Sequence, residues 1–204
     1  MENISSEKSQ SFYNQVGELL LDFLETLIIA TAIFVVVYNF LMQPHSVIGA
    51  SMEPNFYDGD YILTDKITYR LQQPQRGDVV VFRYPNDLSV DYIKRVIGLP
   101  GENVLIENGA VTIFNTDNPD GLKLKEPYLP SDTYTSGGPY FPEGKKTLVP
   151  LNSYFVLGDN RTRSSDSRFW GTMPKDDVVG KAWFRYWPFV RAGFMGTYHY
   201  LTGS

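Results

Sequence analysis

Eighteen residues without a charge, Thr26 to Gln43, limit what this 204-residue chain can fold into. As a helix they would span roughly 27 Å, close to the hydrocarbon core of one bilayer. Leu19, Leu20, Leu21, Phe23 and Leu24 extend the apolar character upstream, with Asp22 and Glu25 placed for the headgroup level. A cleaved leader fits poorly, because the lead is acidic and a cut after Ala50 puts Ile48, not a small residue, at −3. A buried core helix is the bland alternative, but the run exceeds most core segments. We read residues 1–18 as a polar lead, mobile or weakly helical, 19–43 as a retained membrane anchor, and 44–204 as a soluble domain. Charge does not orient the anchor, since only Lys8 precedes it and no Lys or Arg follows before Lys66.

After Pro44 the signals turn to β structure. Asp58-Gly59 is a turn pair leading into Tyr61-Ile62-Leu63. Asp78-Val79-Val80-Val81-Phe82-Arg83 and Tyr92-Ile93-Lys94-Arg95-Val96-Ile97 predict strands, and Asn108-Gly109 sits between two apolar runs as a hairpin turn. Residues 115–150 are rich in Pro and Gly and predict an inserted extension of loops with a small sheet. Tyr154-Phe155-Val156-Leu157 and the long run Val178 to Tyr186 return to the core. Strands at this spacing without intervening helices define a mainly β, antiparallel domain behind a single N-terminal transmembrane helix. An aromatic content of 15% suits that class. Alternation buries part of the cluster Trp183, Phe184, Tyr186, Trp187 and Phe189, leaving the rest, with Phe56 and Tyr57, for the bilayer interface.

Composition removes several chemistries. The chain has no cysteine, so thiol nucleophiles and thiolate metal sites are absent. Two histidines, His45 and His199, give no multi-histidine metal site, and no metal or cofactor is expected. A net charge of −5 with no basic stripe argues against nucleic acid.

One serine stands out. Val47-Ile48-Gly49-Ala50-Ser51-Met52-Glu53-Pro54 sets Ser51 in a small-residue turn just after the apolar run. A serine hydroxyl needs a base to become a nucleophile. Neither histidine lies in a strand that would fix it, so a Ser–His–Asp triad is the weaker reading. Lysine can serve when burial keeps it neutral. Lys94 shares a strand face with Tyr92 and Val96, a face expected to be apolar. Periodicity alone equally allows a lysine that snorkels at a sheet edge.

Four segments in order then carry a resemblance: Ser51-Met52-x-Pro54; Arg76-Gly77-Asp78-Val79-Val80; Tyr92 through Gly101; and Gly158-Asp159-Asn160-Arg161 through Ser164, Asp166, Ser167 and Arg168 to Gly171. Together they resemble the successive boxes of type I bacterial signal peptidases, over most of the chain. The resemblance implies a membrane-bound serine endopeptidase that removes signal peptides after Ala-x-Ala-type sites. Its catalytic β domain would be extracytoplasmic, at the bacterial cell membrane. Its partners would be preprotein signal peptides and the lipid bilayer, with proximity to the export translocon allowed. Ser51 would be the nucleophile and Lys94 the general base, with Ser164 orienting the lysine and the Ser51 backbone N–H meeting the oxyanion. Asp166 and Arg168 would form a pair stiffening the Ser164 loop, to which Asp159, Asn160 and Arg161 belong as structural support. Some members add a hydroxyl two residues before the nucleophile, where this chain has Gly49. Asn55 and Thr162-Arg163 are further departures, expected to affect packing more than chemistry. The groove would accept an extended substrate on a strand edge, walled by residues around Ile48 to Met52 and the strand before Lys94. Two other readings were weighed, a self-cleaving repressor-type Ser/Lys protease and a tethered β domain without catalysis. The first should carry a DNA-binding region where this chain has its anchor.

Overall fold

The computed structural model describes residues 2–198 and 200, so His199 lies outside the described residues. The chain divides between Leu41 and Met42 into a helical unit and a β domain.

The N-terminal unit is α1 (Glu2–Val36), followed by one π-helical turn, Val37–Leu41. Within α1, the 22 residues Gln15–Val36 are long and apolar enough to cross a membrane, and none of that stretch is buried against protein. In hydrocarbon a segment must satisfy its backbone internally, so even β-branched runs become helical there. Thr26 and Thr31 follow suit, their hydroxyls donating to the carbonyls of Asp22 (2.8 Å) and Leu27 (2.7 Å) four residues back. Of the two readings of the polar lead, residues 2–18 take the helical one and begin the same helix.

The β domain runs β1 (Met42–Ser46), β2 (Tyr61–Asp65), α2 (Thr68–Leu71), β3 (Val79–Tyr84), β4 (Asp87–Gly98), β5 (Asn103–Glu107), β6 (Ala110–Phe114), β7 (Leu122–Lys123), β8 (Thr147–Leu148), β9 (Ser153–Leu157), α3 (Ser167–Trp170), β10 (Met173–Pro174), β11 (Val178–Trp187) and β12 (Gly193–Phe194). The larger sheet has the order β1-β2-β11-β3-β4-β9-β10, with β12 beside β11. The smaller has the order β7-β6-β5-β8, so the inserted extension supplies its two outer strands. Strand structure begins at Met42, two residues before Pro44, because Met42 and Gln43 pair with Asp65 and Thr64 of β2.

β3 shows why an unbroken apolar run forms a strand here. Val79 and Val81 pack into one core with Met52, Phe56 and Ile62, while Val80 and Phe82 pack into another with Val96, Tyr154 and Trp170. Both faces are covered, so alternation vanishes from the sequence.

Two aromatic expectations are corrected. Phe56 is not an interfacial residue: it is 1% exposed and fills the core beneath the Ser51 turn. In β11, Trp183, Phe184 and Tyr186 are half-buried, Trp187 is exposed, and the fully covered positions are Gly180 and Ala182. The reason is thin cover, since Trp183 and Phe184 pack on Phe194, which is itself 70% exposed. Phe56→Ala should therefore destabilise the domain by about 3–5 kcal/mol. Leu151→Ala, at a residue 79% exposed, should stay within about 0.5 kcal/mol. Thermal unfolding in detergent measures both.

Candidate active site

The Ser51 turn is anchored from below. Met52 and Phe56 are sunk in the core, and the Met52 carbonyl accepts from the N–H groups of Asn55 (3.0 Å) and Phe56 (2.9 Å). Met52 is therefore a core residue and not a groove wall. Gly49 adopts φ +86°, a left-handed conformation that strains any side chain, and its N–H donates to Asp58 Oδ1 at 2.8 Å. That backbone explains why no hydroxyl-bearing residue stands there. The back of the turn is held by Arg185, which donates to the Asn55 carbonyl (2.9 Å) and pairs with buried Asp60 (3.1 Å).

Opposite the turn, β4 pairs with β9 only from Arg95, opposite Leu157, onward. Beyond that point β9 has ended, and β4 lies open on that side. Lys94 emerges there, 4% exposed, with its Nζ 2.9 Å from Ser51 Oγ and 2.9 Å from the Ile93 carbonyl. The Tyr92 ring lies 5.1 Å from Nζ. Lys94 thus occupies the buried alternative left open by its periodicity. Burial disfavours its ammonium and lowers its pKa to about 8, while Asp166 and Asp159 pull weakly the other way. Their pull is limited because each carboxylate is already closed by a guanidinium. Asp159 takes both arms of Arg95 (2.8 and 2.6 Å), and Asp166 takes Arg168 Nε (2.7 Å) and Nη2 (2.9 Å).

These pairs build the loop that faces Ser51. The Asn160 N–H donates to the Ser51 carbonyl at 3.0 Å. Arg161 donates to the Gly158 carbonyl (3.1 Å) and pairs with Glu126, while Arg168 reaches the Arg161 carbonyl at 2.7 Å. Gly158 is required by proximity: a Cβ there would lie 2.2 Å from Ser164 Oγ and 2.4 Å from the Ser51 carbonyl. Asn55 bridges to Asp159 Oδ2 (2.8 Å) and the Tyr128 carbonyl (2.9 Å), so this departure ties the turn to the loop.

Ser164 is buried beside the pair, and its Oγ makes no hydrogen bond among the described residues, to Lys94 or to any other group. The amine bonds Ser51 and the Ile93 carbonyl. His45 shares the groove but bonds Thr64 and Asp91, not Ser51, which removes it as the serine's base. Sequence reasoning missed Arg95, Asp60 and Arg185. Alternation placed Arg95 on the face opposite Lys94, but nothing in the pattern showed a carboxylate waiting there.

A groove of about 410 Å³ runs beside the pair, lined by residues 45–51 on one side and 90–94 on the other, with Ile62, Val81 and Arg163. A hydroxyl held against a lysine of lowered pKa, beside an open strand edge, is an arrangement suited to the chemistry of a serine hydrolase. The family described as signal peptidase, peptidase S26, matches residues 20–187. The chain belongs to that family. A probable signal peptidase I-2 from Synechocystis is 33% identical over 199 residues, covering 95% of this chain and 85% of that protein. Signal peptidase IB of Staphylococcus aureus is 35% identical over 182 residues, covering 83% of this chain and 91% of that protein. A crystal structure of a signal peptidase I from Enterococcus faecalis V583 shares 31% identity, covers 54% of this chain and 97% of that chain, and superposes with a TM-score of 0.43.

Burying Lys94 has a stability consequence. Its folded pKa lies below the unfolded value, so the unfolded chain binds the proton more tightly and stability rises with pH between about 8 and 10.5. Lys94→Met should raise stability near neutral pH by up to about 3 kcal/mol, with the gain shrinking across that window. Denaturant unfolding as a function of pH measures it.

Proposed function

We propose that this chain is a membrane-anchored signal peptidase in which Ser51 attacks the scissile carbonyl and Lys94 is the general base. The carrying observation is the 2.9 Å approach of a buried lysine to the serine hydroxyl. When Lys94 is neutral, its lone pair takes the Oγ proton as Oγ bonds to the carbonyl carbon. The oxyanion meets the Ser51 N–H, which has no other partner among the described residues. The new ammonium then protonates the leaving amine, and Lys94 activates water for deacylation. Ser164 would orient the amine: its Oγ is unpaired, and a neutral amine bonded to Ser51 and Ile93 keeps one N–H free.

The substrate would be a preprotein whose signal ends in small residues of Ala-x-Ala type. It would lie extended along the open edge of β4, since unpaired strand edges accept a further strand. Ile62, Val81 and Ile93 leave apolar room for small side chains there. The anchor in the bilayer would hold the site near the point where a signal peptide emerges, on the extracytoplasmic side and close to the translocon.

Ser51→Ala and Lys94→Ala should each lower kcat/KM for an Ala-x-Ala preprotein by at least about a thousandfold. Undiminished cleavage by both variants would sink the assignment. For the wild type, kcat/KM should rise with pH through a limb near about 8, because the base acts only when deprotonated. A limb at the ordinary lysine value of about 10.4 would exclude a buried base. For orientation, protease added outside spheroplasts should digest the β domain, and full protection would reverse the proposed topology.

A further inference from the structure

The groove has an end that the chemistry above does not use. His45 Nε2 lies 3.2 Å from Asp91 Oδ2, and His45 Nδ1 lies 2.9 Å from Thr64 Oγ1. His45 and Asp91 belong to β1 and β4, which are separated in the sheet order by three strands, β2, β11 and β3. The contact is therefore no ladder neighbour. It joins two strands across the open side of a curled sheet. From it, six residues lead to Ser51 along one side and three lead to Lys94 along the other. The longer segment must bow outward, and the groove is the gap between the two paths, held at one end by His45–Asp91 and at the other by Ser51–Lys94.

Length assigns a position to that end. Three strand residues span about 10 Å, and an extended substrate covers the same distance in three steps. We propose that the His45–Asp91 pair is the upstream stop of the substrate groove and that Asp91 reads the charge of the residue at −4. This rests on the peptidase reading, in which the residue at −1 lies beside Lys94 and small residues fill the groove behind it. Asp91 is suited to the role, with a side chain 34% exposed and His45, at 14%, its one side-chain partner among the described residues. Its carboxylate stands opposite in sign to Arg163, which lines the same groove from the loop beside Ser51. A cationic side chain at −4 is favoured and an anionic one is disfavoured. The pair positions substrate and takes no part in proton transfer.

The test uses the full-length protein in detergent and mildly alkaline buffer, with Ala-x-Ala peptides that differ only in Lys, Gln or Glu at −4. The reading is the ratio of kcat/KM values within each variant. The wild type should prefer Lys over Glu by about two- to fivefold, the range of an exposed ion pair. Asp91→Asn should bring the ratio near one, and Asp91→Lys should invert it. Asp91→Asn carries the test if the lysine variant does not fold. A flat ratio in wild type alongside Ser51-dependent cleavage overturns the proposal and leaves the peptidase reading standing. So does a preference that persists in Asp91→Asn, or one that answers to Arg163→Gln, which would reverse the direction of the substrate. Absence of any Ser51-dependent cleavage removes both.

Discussion

An ammonium loses several kcal/mol of hydration when strands close around it, and Lys94 is held where that loss nearly balances the proton's affinity. Nearly all of its surface is covered: Val80 stands opposite it in β3, the Tyr92 ring lies 5.1 Å from its Nζ, and the Ser51 hydroxyl meets its tip. The rest of the site follows from that balance. Admit water and the amine's pKa would return toward the ordinary lysine value of about 10.4; remove the serine and the buried amine would lose a partner. Position and protonation are the same constraint here, because the burial that fixes the side chain also lowers its pKa to about 8.

Keeping that balance next to two carboxylates requires that neither act as a free counter-ion. Asp159 and Asp166 both act to raise the lysine's pKa, and would raise it further if they were unpaired. Each is instead saturated by a bidentate guanidinium, Arg95 and Arg168 respectively, and all four side chains are buried. Buried ion pairs of this kind add little net stability, because desolvation offsets their attraction. Their service is geometric. They hold the loop from Gly158 to Arg168 rigidly enough that Asn160 can grip the Ser51 carbonyl and Gly158 can pass between Ser51 and Ser164.

The groove arises from what the sheet leaves unpaired. β9 ends at Leu157, so β4 is bare from Lys94 toward Asp91, and β1 lies at the opposite margin of the sheet. Bare margins are hazards in most proteins and are blunted by charge or cover. Here one end is closed by His45–Asp91, and the rest is left open, with Ile62, Val81 and Ile93 among the residues that line it.

The sequence by itself determined the class of elements, since a long uncharged run and β-branched segments bounded by turns define an apolar helix and an antiparallel domain through local properties. The four ordered boxes, by their resemblance alone, singled out Ser51 and Lys94. It could not decide whether Lys94 snorkels or is buried, because β3 and the second half of β4 are buried at consecutive positions and alternation loses its meaning there. Phe56 read as interfacial for the same reason: an aromatic beside a turn does not reveal which way the turn folds. Nor could it find Arg95–Asp159 or His45–Asp91, whose members lie 64 and 46 residues apart. Those contacts, and the unpaired Ser164 hydroxyl, belong to the tertiary structure alone, because only the curl of the sheet and the return of the last loop bring distant side chains within hydrogen-bond reach.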